Sequence, residues 1–256
     1  MSGLALKGKA ALVTGASRGI GRAIAERLAR DGAVVAVHYG SRREAAEEVA
    51  AGIKAQGGTA FTVGADLGSL QGVEGLWTEL EAKLAELTGE ARFDILVNNA
   101  GIGLRGRIGE TTESMFDEMM AVNVKAPFFL IQGALPRMRD GGRIINISSG
   151  VTRIAYPELT AYNMTKGALD TLTLTLAKDL GPRGITVNAI MPGIVDTEIN
   201  AGWLHEPAAW QFASEMSALG RVGEPDDIAD IAGFLASGDS RWVTGQRVDA
   251  TGGSHL

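Results

Sequence analysis

The chain has no cysteine. Disulfides, thiolate nucleophiles and zinc–sulfur centres are therefore excluded at the outset. Histidine is nearly as scarce. The three present, His38, His205 and His255, lie far apart and without metal-ligand spacing. No long uncharged apolar run occurs. The opening MSGLALKGKAALVTG has too short an apolar stretch for a secretory leader. A soluble cytoplasmic protein is expected. Basic residues form no patch: 24 Lys and Arg against 30 Asp and Glu leave a net charge of -6. That balance favours solubility and argues against nucleic acid as a partner. Aromatic residues make up only 5% of the chain and include three tyrosines, two of which, Tyr156 and Tyr162, stand six residues apart.

What is present is a rhythm. Short runs rich in Val and Ile, bounded by Gly, Asp or Asn, read as buried strands: KAALVTG, AVVAVHY, TAFTVGAD, FDILVNNAG, GRIINISS, GITVNAIMPG and, more weakly, GQRVDATGG. Helical segments lie between them. In IGRAIAERLARDG, Ile20, Ile24 and Leu28 share a face, and a glycine follows. EPDDIADIAGFLASGDS opens with proline and acidic residues in its first turn. DTLTLTLAKDL alternates with a strand's period of two. Leu169, Leu172, Leu176 and Leu180 also fit a helix, which the chain needs there to recross the sheet. Alternating strands and helices predict a single α/β domain, a Rossmann-type doubly wound parallel sheet of about seven strands with helices on both faces. The 256 residues suffice for it, and no linker or repeat divides them.

VTGASRGIGRAIA joins the first strand to the first helix, where Gly15, Gly19 and Gly21 let a backbone turn sharply and approach a pyrophosphate at a helix N-terminus. The spacing G-x-x-x-G-x-G is neither the usual G-x-G-x-x-G nor a P-loop. The second strand of NAD-binding sheets usually ends in a carboxylate for the ribose 2'-hydroxyl. Here VVAVHYGSRREAAEE has none before Glu44. Tyr39 and Ser41 offer hydroxyls. Arg18 and either Arg42 or Arg43 offer positive charge for a 2'-phosphate. NADP(H) is thus favoured over NAD as the cofactor.

Together these residues resemble the short-chain dehydrogenase/reductase family, nearest its 3-oxoacyl-carrier-protein reductase and glucose dehydrogenase group. TGASRGIG, NNAG, the Asn in AVNVKAPFF, the Ser in NISSG, YNMTK and PGIVDT follow in family order along almost the whole chain. The resemblance implies that Gly15, Ser17, Arg18, Gly19, Ile20 and Gly21 hold the pyrophosphate and adenosine phosphate. It implies Asp66, with Leu67 beside it, at the adenine. Asn98, Ala100 and Gly101 would lie at the adenosine ribose, and Pro192, Gly193, Ile194 and Thr197 at the nicotinamide end. Two departures stand out. LEAKLAELTGEARFD is longer by a few residues than the family's pattern, read as a surface extension, and Asp196 precedes Thr197 on the substrate side.

Reducing a ketone takes a hydride, which such a cofactor brings, and a proton, which the protein must supply. Tyrosine's usual pKa of about 10 must be lowered for it to cycle near neutrality. Lys166, one helical turn after Tyr162, is expected to lower it. Ser149, at the carboxyl edge of the fifth strand, would hold the substrate oxygen. The neighbouring Ser148 is its rival. The family places its serine thirteen residues before the tyrosine, which selects Ser149. By resemblance Asn123 holds a water that relays protons to Lys166, and Lys166 also binds the nicotinamide ribose. The catalytic set is then Asn123, Ser149, Tyr162 and Lys166.

Residues 196–219 interrupt the rhythm and carry Trp203, His205, Trp210 and Phe212. They read as a lid over an apolar substrate. Arg153, Tyr156, Glu158 and Trp203 are expected at the substrate mouth. Relatives are commonly tetramers, so a homotetramer is implied, with FFLIQGALPRM, ALDTLTLTLAKDL and RVDATGGSHL in its contacts. The leading expectation is an NADPH-dependent carbonyl reductase. The alternatives are a non-catalytic nucleotide-sensing protein on the same fold and, disfavoured by the complete Asn–Ser–Tyr–Lys set, a methyltransferase on a related one.

Overall fold

The apolar runs form strands because both of their faces are covered. In the computed structural model, which describes residues 4–255, seven strands form one parallel sheet. They are β1 (Ala10–Val13), β2 (Val34–Tyr39), β3 (Thr59–Gly64), β4 (Phe93–Asn98), β5 (Met138–Ile147), β6 (Thr186–Pro192) and β7 (Arg247–Ala250), in the order 3-2-1-4-5-6-7. Ala11 and Val13 of β1 point to one face and Leu12 to the other. The first face packs on α1 (Gly19–Arg30), α2 (Arg43–Ala55) and α9 (Pro225–Ala236), through Ile24, Leu28, Val49, Ile53, Ile228 and Leu235. The second packs on α3 (Leu70–Thr88), α5 (Ala126–Ala134) and α6 (Thr160–Leu180), through Leu76, Trp77, Leu80, Leu130, Ile131 and Leu180. Each fully buried side chain of this size contributes roughly 1.5–3 kcal/mol of transfer free energy.

β1 has β2 on one side and β4 on the other, so the chain leaves it in opposite directions at its carboxyl end. That reversal opens a crevice where ligands bind in sheets of this kind. The loop after β1 forms one lip with the loop after β4 beside it, and the segment after β6 forms the opposite lip.

The segment with alternating periods is helical, the whole of Thr160–Leu180. Its threonines fit because their hydroxyls bond back one turn, Thr171 to Gly167, Thr173 to Leu169 and Thr175 to Thr171. The supposed extension before β4 is the end of α3, whose Leu80 and Leu84 are buried. Ser69 caps its start and Gly89, in the left-handed region at φ 78°, closes it. Only residues 89–92 lie between α3 and β4. β5 begins at Met138, earlier than the apolar run suggested, and its register against β4 shifts between Phe93 and Ile95, after Met138 and before Arg143.

α4 (Glu113–Met120) runs into α5 through a single wide π-type turn, residues 121–125, centred on Asn123. Such turns often mark functional positions because they displace one side chain from the regular ladder.

Candidate active site

The glycine loop is shaped by close approach. Gly15 has φ 62°, a region that disfavours side chains, and a Cβ there would come within 2.9 Å of Ala100 Cα. A Cβ on Gly21 would overlap the Gly15 carbonyl oxygen. Arg18 precedes α1 without a side-chain cap, so the first amides of the helix remain available to an anion. The carboxyl end of β2 carries no acid. Ser41 and Arg42 are exposed, and the Tyr39 ring lies across Gly64. Arg43 is drawn to Glu47 at 2.7 Å. Arg18 and Arg42 have no carboxylate within ion-pair distance among the described residues, so of Arg42 and Arg43 the former is the free charge.

Asp66 is exposed just beyond β3. One of its carboxylate oxygens, Oδ1, accepts from Gly68 N–H at 2.9 Å. Leu67 is different: its side chain is buried in the second core face, which leaves only its main chain for a ligand. Asn98 likewise turns inward. It donates to Asn146 at 2.9 Å, and Asn146 donates to Thr173 at 2.8 Å, tying β4 to β5 and α6. Asn99, passed over in the sequence, holds the loop instead. Its side-chain amide donates to the carbonyls of Thr14 (2.8 Å) and Gly15 (3.1 Å). The Thr14 hydroxyl accepts from the main-chain N–H groups of Asn99 and Ala100, both at 3.0 Å. The doubled asparagine of NNAG was the available signal. One asparagine serves the sheet and the other serves the loop.

On the opposite lip, Gly193 N–H donates to Ala250 at 3.2 Å, and Ile194 packs against a small cluster of Leu204, Ala213 and Val222. The loop from Pro192 arches back until Thr197 stands over Gly19. A Cβ on Gly19 would lie 3.3 Å from Thr197 Cγ2 and 3.4 Å from a Glu198 carboxylate oxygen. The two loops assigned to opposite ends of a dinucleotide therefore meet. The cradle of bare backbone, open helix amides and unpaired guanidinium groups fits a phosphorylated dinucleotide. The Glu198 carboxylate stands at its rim, beside Gly19, and would be repelled outward by phosphate.

The catalytic candidates converge next to this crevice. Ser149 lies two residues beyond β5 rather than within it, partly exposed, with its side chain accepting from Val151 N–H at 3.4 Å. Ser148 is buried and reaches the Lys166 carbonyl at 3.5 Å. That separates the rivals, since only Ser149 faces Tyr162. Tyr162 and Lys166 share a face of α6, with the lysine Nζ 5.6 Å from the centre of the phenol ring. Lys166 is 4% exposed and donates to the Ile147 carbonyl at 2.8 Å, which leaves two of its three protons unassigned. Gly101 faces both Lys166 Nζ and the Asn123 side chain. Asn123 accepts from Ile102 N–H at 2.9 Å and donates to Ile102 O at 2.8 Å and to Thr165 at 3.1 Å. It thereby fastens the loop after β4 to α6.

The electrostatics correct one expectation. The Tyr162 phenol is not lowered; it is pushed up to about 12, chiefly because burial penalises the phenolate, while a hydrogen bond with Ser149 works the other way. Burial also drives the Lys166 ammonium down to about 8, opposed by the Asp170 carboxylate one turn later. In the protein alone, desolvation outweighs the help the lysine was expected to give. The arrangement keeps Tyr162 protonated at neutral pH, which is the form a proton donor needs.

The side expected to face a substrate is built from three segments. The loop after β4 passes over the site, with Gly103 against the Tyr162 ring and Gly106 N–H bonded to Glu158 O at 2.8 Å. Arg105 lies over the Trp203 ring at 5.4 Å. Trp203 sits on the short α7 (Ala201–Leu204), followed by α8 (Pro207–Met216), whose Met216 sulfur is 3.7 Å from the Tyr156 hydroxyl. Tyr156 is half-buried, and burial followed by Glu158 holds its phenol above the usual value. Asp196 pairs with His205 at 2.8 Å, bracing the start of this segment. Arg153 does not line the mouth. It turns to the C-terminal segment, bonding Ser254 O at 2.6 Å and pairing with Asp249 at 3.0 Å.

Comparison with known proteins decides the family. A family model described as enoyl-(acyl carrier protein) reductase matches residues 15–255. The chain belongs to the short-chain dehydrogenase/reductase family. It is 44% identical over 255 residues to an uncharacterized oxidoreductase of Methylorubrum extorquens, covering 97% of this chain and 98% of the relative. It is 38% identical over 250 residues to the 3-oxoacyl-[acyl-carrier-protein] reductase FabG of Staphylococcus aureus, covering 97% and 98%. Among solved structures it is similar to the angucycline C-6 ketoreductase LanV with bound NADP. There the identity is 53%, the TM-score 0.94, and the coverage 97% of this chain and 96% of that one. LanV is also known with NADP and rabelomycin bound, at a TM-score of 0.90. As a member of this family, the protein is an oxidoreductase that uses a nicotinamide cofactor. No described helix is long and apolar enough to cross a membrane.

Proposed function

We propose that this enzyme is an NADPH-dependent ketoreductase acting on an angucycline-type ketone. The observation that carries this reading is the placement of Tyr162 between Ser149 and a buried Lys166, beside the crevice at the carboxyl edge of the sheet. The identity with LanV and the partly buried Trp203, Tyr156 and Met216 around the mouth support a flat, largely apolar substrate. NADPH supplies the hydride. Gly15, Ser17, Arg18, Gly19, Ile20 and Gly21 would hold its phosphates, Asp66 its adenine, and Pro192, Gly193, Ile194 and Thr197 its nicotinamide end. Tyr39, Ser41, Arg18 and Arg42 would receive the 2'-phosphate.

Ser149 donates to the ketone oxygen and fixes it within reach of Tyr162. Tyr162 gives that oxygen its phenolic proton as negative charge develops there. The resulting phenolate is costly in this buried setting and is stabilised by Ser149 and the Lys166 ammonium. Lys166 retains free donors for the nicotinamide ribose. The Asn123 side chain, engaged with Ile102 and Thr165, holds the loop after β4 beside Lys166, and a water at this position would return the proton to Lys166. Residues 196–219 act as the lid, and the exposed Phe128, Leu174, Phe234 and Trp242 supply apolar surface for a homotetramer.

The test is NADPH oxidation, followed by absorbance, with an angucycline ketone, a 3-oxoacyl thioester and an enone, each repeated with NADH. Reduction of the ring ketone with at least tenfold preference for NADPH is expected. Preferred thioester turnover would move the substrate to the 3-oxoacyl class. Preferred enone turnover would point to carbon–carbon double-bond reduction, and equal efficiency with NADH would refute the cofactor choice. Tight NADPH binding with no turnover on any of these would favour the nucleotide-sensing alternative.

A further inference from the structure

The glycine loop is not held by main-chain bonds alone. His38, next to last in β2, is 2% exposed. Its Nδ1 accepts from Gly15 N–H at 3.0 Å, and its Nε2 lies 3.1 Å from the Ala65 carbonyl. An amide N–H can only donate and a carbonyl can only accept. One state satisfies both: a neutral ring with its proton on Nε2. The hydrogen bonds record no second partner for Gly15 N–H or Ala65 O among the described residues. The main chain doubles the link, with Ala16 N–H bonded to His38 O at 2.8 Å and Ala65 N–H to Tyr39 O at 3.0 Å. One ring thus spans from the first glycine of the phosphate loop to the residue immediately before Asp66.

These are the two segments that would hold opposite parts of the adenosine half of the cofactor. An apolar side chain at position 38 would leave a partly buried donor on one and a partly buried acceptor on the other without their protein partner. We propose that His38 is a positioning residue for the dinucleotide, a neutral ring of fixed tautomer that sets the glycine loop against the Asp66 loop. This rests on the reading of that crevice as the NADP(H) site. His38 would touch no part of the cofactor. It acts through the orientation of the Gly15 amide and the placement of Asp66.

The experiment compares wild type with His38→Leu and His38→Asn. An asparagine Oδ1 occupies nearly the place of Nδ1 and restores an acceptor for Gly15, although it does not reach Ala65. Two quantities are measured: the NADPH dissociation constant by fluorescence titration, and hydrogen exchange at the Gly15 amide in cofactor-free protein. His38→Leu should weaken NADPH on the order of tenfold and speed exchange at Gly15, while kcat at saturating NADPH stays within about threefold. His38→Asn should recover most of both. Wild-type affinity and protection in the leucine variant would overturn the proposal. So would an asparagine variant no better than leucine, or a loss confined to kcat. Should His38→Leu fail to fold, the nitrogen chemical shifts of wild-type His38 decide: a protonated Nε2 beside a bare Nδ1 is expected, and the other tautomer or a charged ring refutes it. Failure of wild type to bind NADPH would overturn the cofactor reading instead, and exchange at Gly15 would still decide the brace.

Discussion

The two lips of the crevice are built differently. The cofactor lip is over-determined. The Gly15 segment is held by Thr14, Asn99 and His38 and backed by two continuous core faces. The proposed substrate lip, residues 196–219, rests on a small cluster of buried apolar residues, Leu204, Ala213 and Val222, and leaves Ile199, Trp210, Phe212 and Leu219 exposed. A dinucleotide presents the same phosphates in every member of such a family, so a rigid seat suits it. Substrates differ, and a loosely packed segment can change without disturbing the sheet. Tyr162 and Ser149 belong to neither lip: Tyr162 stands on α6 beside the loop after β4, with Gly103 against its ring, and Ser149 follows β5.

Substitutions should therefore separate the lips. The largest effect belongs to the proposed proton donor between them: Tyr162→Phe should lower kcat on the order of 10³-fold, with NADPH affinity measured by titration nearly unchanged. On the cofactor lip, Arg42→Ala should weaken NADPH on the order of tenfold and leave NADH little affected, as read from the two dissociation constants. On the substrate lip, Trp203→Ala should raise the ketone KM about fivefold to tenfold while NADPH affinity stays at the wild-type value. A comparable loss of NADPH affinity there would break the division. Tyr156→Phe should act in the same direction but less, mainly as a change in preference across a ketone panel.

Acid also distinguishes the two regions. His38 is buried and its pKa lowered to about 4, chiefly by desolvation, with the Ala65 carbonyl and Glu79 opposing. Between that value and the usual 6.5, the unfolded chain binds a proton that the folded chain refuses. Stability therefore falls as pH drops through this window and levels below it, by about 3 kcal/mol from this group. Denaturant midpoints measured from pH 7 to 4 should show the fall in wild type and a flatter profile in His38→Asn. At the other end, Lys166 loses its charge above about pH 8, so kcat/KM should decline there.

The sheet was legible because a parallel strand covered on both faces leaves an unbroken apolar run, as AALV and VVAVHY do. The glycine loop and the missing acid after β2 were legible for a similar reason, since their chemistry is local. The proposed catalytic set came from the order of its motifs, not from geometry. What the sequence hid depends on tertiary surroundings. Burial that raises the Tyr162 phenol instead of lowering it is a property of the packed site, not of a four-residue spacing. Arg153 sits between Ser149 and Tyr162 in the chain, yet it turns to a C-terminal segment some hundred residues on. A histidine ending a strand looks like any core polar residue until Gly15 and Ala65 are seen on either side of it. The π-type turn at Asn123 leaves no signature in AVNVK.

The most direct test of the central claim, that Tyr162 is the proton donor of a ketone reduction, is a paired measurement on Tyr162→Phe: NADPH binding by fluorescence, and NADPH oxidation at saturating ketone. Near wild-type binding with turnover lost on the order of 10³-fold is the expected result. Turnover within tenfold of wild type, with binding intact, would contradict it.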